Sequence, residues 1–167
     1  MVFEYLKPED EAGIAEMSAM ATEIVREHFD PIIGKAQNDY MLQKFQTVDA
    51  IRDQLAHGYQ YYFVLEAGHR VGFLAFYPRE EVMYLSKLYL YKTERWKGYS
   101  RQMVDFVAGK ARNAGLPAIE LNVNRDNSAV HAYEKLGFQM IRTEKNDIGE
   151  GFFMDDFVFR LELKGEY

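Results

Sequence analysis

A chain of 167 residues, 48% hydrophobic and 15% aromatic, has the material for one well-filled core and little room for a second. Its formal net charge of −6 argues against nucleic acid as the main partner, because phosphate binding needs a basic stripe, and the lack of cysteine excludes disulfides, thiolate nucleophiles and cysteine-based zinc sites. No apolar run approaches the roughly 18 residues that cross a bilayer, and the opening Met1 to Pro8 lacks the basic-then-apolar layout of a signal peptide. The expectation is a cytoplasmic protein with no nucleic-acid and no membrane partner.

Val2 to Leu6 alternates as a short strand, which Pro8 and Glu9-Asp10 end. From Asp10, the residues Ile14, Met17, Ala21, Ile24, Val25 and His28 recur at helical spacing. Pro31 and Gly34 break regular structure, and a short helix fits Asn38 to Phe45. Thr47 suits a helix cap for Val48, Ile51 and Leu55, with Gly58 as the stop. Three strand-like runs follow, 59–67, 70–77 and 82–91, punctuated by Gly68-His69 and Pro78. Their aromatic and β-branched content predicts an antiparallel meander. Tyr99, Met103, Phe106, Val107 and Ala111 restore the helical period as far as Gly115-Leu116-Pro117, and 118–123 reads as a strand. Ala129, Ala132, Tyr133 and Leu136 form one face of a short helix closed by Gly137. Runs 138–143 and 152–163 are the final strands, separated by the polar stretch 144–151. No repeat or linker interrupts the chain, so 1–167 reads as a single α/β domain of order β-α-α-βββ-α-β-α-ββ.

Most of the chemistry lies in Leu88-Tyr89-Leu90-Tyr91-Lys92-Thr93-Glu94-Arg95-Trp96-Lys97-Gly98-Tyr99-Ser100-Arg101. A strand ends, a basic turn follows, and a helix begins at once. The first turn of a helix leaves backbone N–H groups unpaired at the positive end of its dipole. Gly98 lets backbone approach an anion closely, and Arg95, Lys97 and Arg101 concentrate positive charge in an acidic chain. A plain strand-to-helix turn with solvated basic residues has the same pattern. The spacing is neither a Walker loop nor GxGxxG, and Gly98-Tyr99-Ser100 is no nucleophile elbow, because the second glycine is missing.

Arg95-Trp96-Lys97-Gly98-Tyr99-Ser100 resembles the [RQ]-x-x-G-x-[GA] signature of the GNAT acetyltransferases, whose backbone amides hold the pyrophosphate of coenzyme A. Ser100 departs from the usual glycine or alanine, and Trp96 is bulky where small residues are common. The resemblance implies that Leu88 and Leu90 line the cofactor's pantetheine arm, Leu90 N–H facing the thioester oxygen. Arg95, Lys97, Gly98, Tyr99, Ser100 and Arg101 would take its phosphates. It also implies a mixed, mostly antiparallel sheet of about seven strands flanked by helices.

Asn127-Ser128-Ala129-Val130-His131-Ala132-Tyr133-Glu134-Lys135-Leu136-Gly137-Phe138 reads physically as a well-capped helix, Asn127 at its N-cap and Tyr133 half-buried. It is also similar to the closing GNAT motif N-x-x-A-x-x-x-Y-x-x-x-G-F. That likeness implies that Asn127 contacts the cofactor arm and that Tyr133 protonates the departing thiolate.

The activity so implied is direct transfer of acetyl from acetyl-CoA, without a metal, to a primary amine. The acidic charge leans toward a small cationic amine such as a polyamine, with a peptide N-terminus as the alternative acceptor. Similar proteins are commonly homodimers. No base is assigned: Met83 to Leu88 contains no carboxylate, and Glu80 and Glu81 at the start of the strand are expected to face solvent; Glu120 on the adjacent strand stays open although its alternation with Leu121 and Val123 favours another direction, and a water chain ending on backbone carbonyls would also serve. His28, Asp30, Tyr40, Tyr61 and Asp155-Asp156 are candidates for the acceptor wall, each with an ordinary structural role open to it, and Asp155-Asp156 reads first as solvated hairpin charge. The four histidines have no metal-ligand spacing. Two rivals remain: a CoA-binding sensor without transfer, and a phosphate-binding interaction domain.

Overall fold

The computed structural model describes residues 1–163; the last four residues of the expected 1–167 domain lie outside the described residues. Strand β1 (Val2–Tyr5) leads to helices α1 (Glu11–Ile33), α2 (Lys35–Phe45) and α3 (Val48–Ala56). Strands β2 (Gln60–Glu66), β3 (His69–Arg79) and β4 (Val82–Leu90) precede α4 (Tyr99–Asn113), β5 (Ala118–Asn124), α5 (Ala129–Lys135), β6 (Gln139–Gly149) and β7 (Phe152–Glu162). One seven-stranded sheet runs in the order β1-β2-β3-β4-β5-β7-β6. β4 and β5 pair in parallel, whereas β1–β2, β2–β3, β5–β7 and β6–β7 are antiparallel, so the sheet is mixed and mostly antiparallel as expected.

The chain divides into two compact units: Met1–Tyr77 with Lys87–Met103, and Pro78–Ser86 with the chain from Val104 onward. In the first, the Asp10 side chain accepts from Gly13 N–H at 2.9 Å and opens α1. Ile14, Met17, Ala21 and Ile24 then recur on the face that meets Ile51 and Leu55 of α3 and Phe63, Phe73 and Ala75 of the strands. The Thr47 hydroxyl caps α3 through Ala50 N–H at 3.1 Å.

Three helices precede β2, one more than the order β-α-α-βββ counts, because the short helix that fits Asn38 to Phe45 is a full element, α2; α1 itself runs through Pro31 and stops only at Gly34, whose φ is +85°. Pro31 forfeits one hydrogen bond in the last turn. Ile32 and Ile33 offset that loss by packing on the cluster of Val25, Phe29 and Leu42. β3 likewise continues through Pro78 to Arg79.

In the second unit β5 is central. Its Ile119, Leu121 and Val123 share one face with Leu161, Phe159 and Phe157 of β7, and its Glu120, Asn122 and Asn124 share the other with Arg160, Val158 and Asp156. The polar stretch 144–151 is largely strand, since β6 extends to Gly149 and a Glu150-Gly151 turn joins it to β7. The reason is its place at the sheet edge. A strand that buries little has no need of apolar alternation, and charges there discourage pairing with another chain.

Candidate active site

The residues expected to hold the cofactor fall in both units, Leu88 to Arg101 in the first and Asn127 with Tyr133 in the second. In the first, β4 ends at Leu90 and a single 3-10 turn, Lys92–Glu94, leads into the turn before α4. Trp96 and Gly98 both adopt left-handed backbone, at φ +69° and +80°. That geometry explains the glycine; a Cβ there would meet nothing within 4 Å, so its backbone faces open space. The first turn of α4 contains no acidic residue. Arg95 folds back to donate to the Leu90 carbonyl at 3.4 Å, and Lys97 pairs with Glu94 at 3.2 Å. Tyr99 and Ser100 are half-buried, Arg101 is exposed, and Trp96 stands 97% exposed.

The backbone of β4 is pressed close to β3. A Cβ on Gly72 would lie 2.1 Å from the Tyr89 carbonyl oxygen and 3.1 Å from Leu90 Cα. Gly72→Ala should therefore displace the strand that carries Leu88 and Leu90. We expect a loss of about 1–3 kcal/mol in urea denaturation together with weaker CoA binding; unchanged stability would mean that β4 moves aside freely.

Beside Leu88 lies a residue whose environment the sequence does not reveal. Lys87 is 5% exposed, and its ammonium donates to Phe45 O at 2.9 Å, to Gln46 Oε1 and Gln54 Oε1 at 3.0 Å each, and to the Tyr61 hydroxyl. Tyr61, a candidate for the acceptor wall, is thus a buried member of this network, donating to Gln54 Oε1 at 2.5 Å. Burial pulls Lys87 down to about 7. Asp30, another wall candidate, accepts from Asn38 at 2.7 Å, and the His28 ring packs edge-on against Phe29.

In the second unit Asn127 is buried, and the N-cap expected there falls one residue later, at Ser128. The Asn127 side-chain oxygen accepts from Ala129 N–H at 2.9 Å and its carbonyl from Val130 N–H at 3.2 Å, so it still secures the start of α5. Gly137, at φ +97°, closes that helix. The half-buried Tyr133 ring packs edge-on against Phe138, centroids 5.5 Å apart, and tilts over Phe159 at 6.5 Å. Burial raises its hydroxyl to about 12, and no described residue accepts a hydrogen bond from it. A phenol so placed stays protonated and has its proton to give.

Glu80 and Glu81 are exposed, in keeping with their expected solvent-facing role. Glu120 is buried and bound to Arg160 at 2.8 Å, with Arg142 at 3.9 Å. Asp156 overturns its reading as solvated hairpin charge: it is 2% exposed, and only Asp155 reaches solvent, paired with Arg125 at 2.5 Å. The cause is strand register. Asp155 points to the face of Lys145, Asp156 to that of Asn124 and Glu144. Among the described residues no group of three or more His, Asp or Glu could hold a metal ion, and no helix is long and apolar enough to cross a membrane.

Residues 22–153 match the family model described as an acetyltransferase (GNAT) domain. The paia N-acetyltransferase from Thermoplasma acidophilum, solved in complex with coenzyme A, superposes with a TM-score of 0.76 at 15% identity, covering 97% of this chain and 99% of that one. A GNAT family acetyltransferase from Elizabethkingia anophelis with acetyl-CoA bound gives 0.60 at 16% identity over 84% and 89% of the two chains. Aminoglycoside 6'-acetyltransferase type Ii gives 0.65 at 14% identity over the full length of both. No curated protein has a significantly similar sequence.

Proposed function

The chain belongs to the GNAT acetyltransferase family, and on that premise we propose that it moves acetyl from acetyl-CoA directly to a primary amine, the acceptor being a small cationic amine such as a polyamine. The observation that carries this reading is the turn before α4. Gly98 exposes left-handed backbone there, the helix opens without an acidic residue, and Lys97 and Arg101 flank it. Unpaired N–H groups at such a helix start suit a pyrophosphate. Gly98, Tyr99 and Ser100 would supply them, Lys97 and Arg101 would add charge, and Arg95 would brace the turn through Leu90 O. The backbone of Leu88 and Leu90 would align the pantetheine arm, with Leu90 N–H polarising the thioester carbonyl. By the family resemblance Asn127 would contact the arm, and Tyr133 would give its proton to sulfur as the thiolate leaves. The net charge of −6 favours cationic acceptors.

The test is thiol release from acetyl-CoA against polyamines, amino acids and peptides with free N-termini. Release with small polyamines supports the reading, release only with peptides transfers it to protein N-termini, and silence in a protein that still binds acetyl-CoA leaves the sensor. Binding has its own probe. Trp96 is the only tryptophan and sits inside the proposed pyrophosphate turn. CoA should change its emission, and pantetheine, which lacks the pyrophosphate, should not. An equal response to both would move the phosphates away from this turn.

A further inference from the structure

Three buried charged side chains are found among the described residues, Lys87, Glu120 and Asp156. Lys87 is surrounded by oxygens and Glu120 is bound to Arg160. Asp156 has no such compensation. Its Oδ2 accepts from Asn122 Nδ2 at 3.3 Å, while among the described residues Oδ1 has no hydrogen-bond partner and no cation lies within ion-pair distance. An isolated buried carboxylate is unfavourable for folding, so its presence calls for another cause.

The surroundings suggest one. Asp156 lies opposite Asn124, at the carboxyl end of β5, where strands of α/β sheets offer ligand sites and three residues before Asn127. Half-buried polar groups surround it: Tyr84 donates to Asn122 Oδ1 at 2.8 Å, and Asn122 donates to Glu144 at 3.2 Å. Glu144 already has its own cation, Arg142 at 2.8 Å. Burial raises the Asp156 carboxyl above the usual range, helped by the Asp155 and Glu144 charges and opposed by the Asn122 hydrogen bond. Register also separates it from Tyr133, whose ring lies on the Phe159 face of the same strands.

We infer that Asp156 is the base of the reaction, taking a proton from the acceptor's ammonium group at its open Oδ1. This rests on the acetyl-transfer reading above. The carboxylate removes one proton from R–NH3+ and later releases it to solvent. The neutral amine's lone pair forms the N–C bond to the thioester carbonyl as the C–S bond breaks and its electron pair leaves with sulfur. Tyr133 protonates that sulfur, and the second proton lost from nitrogen as the amide forms restores the phenol through water. The balance is ammonium plus thioester giving amide, thiol and one proton.

The experiment compares wild type with Asp156→Asn on two acceptors: the best amine of the panel, and a fluorinated analogue of it that is already neutral at pH 7. We expect kcat/KM to fall about 10²–10³-fold with the basic amine and less than about 10-fold with the weakly basic one. Thermal melts at pH 7 accompany the rates. A raised carboxyl contributes stability below the unfolded carboxylate range that is lost as pH rises through the folded value, so at pH 7 the Asn variant should melt no lower than wild type. Asp156→Ser repeats the comparison if the Asn variant does not fold. Equal losses with both amines, or no loss with either, overturn the inference while leaving acetyl transfer intact. A wild type silent toward every amine removes both.

Discussion

Tyr133→Phe should lower kcat by about 10²–10³-fold while leaving CoA affinity within about twofold. The phenol is proposed to act only when the thiolate departs, and an interaction made only in the transition state affects turnover rather than ground-state binding. The structure makes the substitution clean. No described residue accepts from the Tyr133 hydroxyl, so its removal strands no partner, and the ring contacts with Phe138 and Phe159 remain. The melting temperature should therefore stay put. With the hydroxyl raised to about 12, Tyr133 keeps its proton through pH 10, so any alkaline fall in rate below that belongs to another group. Steady-state rates with isothermal titration of CoA decide the matter. A Phe variant that turns over normally would remove the phenol from the mechanism.

The second large effect concerns stability. Lys87→Met should destabilise the fold by about 3 kcal/mol, because it leaves buried Gln46 Oε1 without a donor and takes one hydrogen bond each from Phe45 O, Gln54 Oε1 and the Tyr61 hydroxyl, which keep only those they make with one another. Such a loss corresponds to roughly 6–12 °C in melting temperature for a chain of this size. The network also ties β4 to the α2–α3 connection, so Leu88 should lose its alignment and the KM for acetyl-CoA should rise. The pH dependence has a definite sign. With Lys87 lowered from 10.5 to about 7, the unfolded chain binds a proton in that window that the folded chain gives up. Wild-type stability should thus rise from pH 7 toward 9.5, and this rise should be absent in the methionine variant. Urea titrations at the two pH values measure it. A flat wild-type profile would mean that the surrounding oxygens keep the ammonium fully charged.

Local signals carried much of the sequence reading. The α1 stripe of Ile14, Met17, Ala21 and Ile24, the Thr47 cap and the left-handed glycines Gly98 and Gly137 each follow from a few neighbouring residues, and each is found where expected. What escaped was set by distant partners. The continuation of α1 past Pro31 depends on apolar contacts with Leu42, and the strand character of 144–149 depends on β7. Lys87 lies between Ser86 and Leu88, and its four oxygen partners come from residues 26 to 42 positions away. Asp155 and Asp156 are indistinguishable by composition; one step of register buries the second and exposes the first. The backbone of the glycine turn follows from neighbouring residues, whereas the burial of Asp156 is decided by its register on β5 and β6.

The exposure of Trp96 has a practical consequence. An indole already surrounded by water in the native protein changes its surroundings little when the chain unfolds, so tryptophan emission will be nearly blind to denaturation. Folding must be followed by circular dichroism or by the 12 tyrosines. A tryptophan signal on adding ligand can then be assigned to the turn itself, uncontaminated by loss of structure elsewhere.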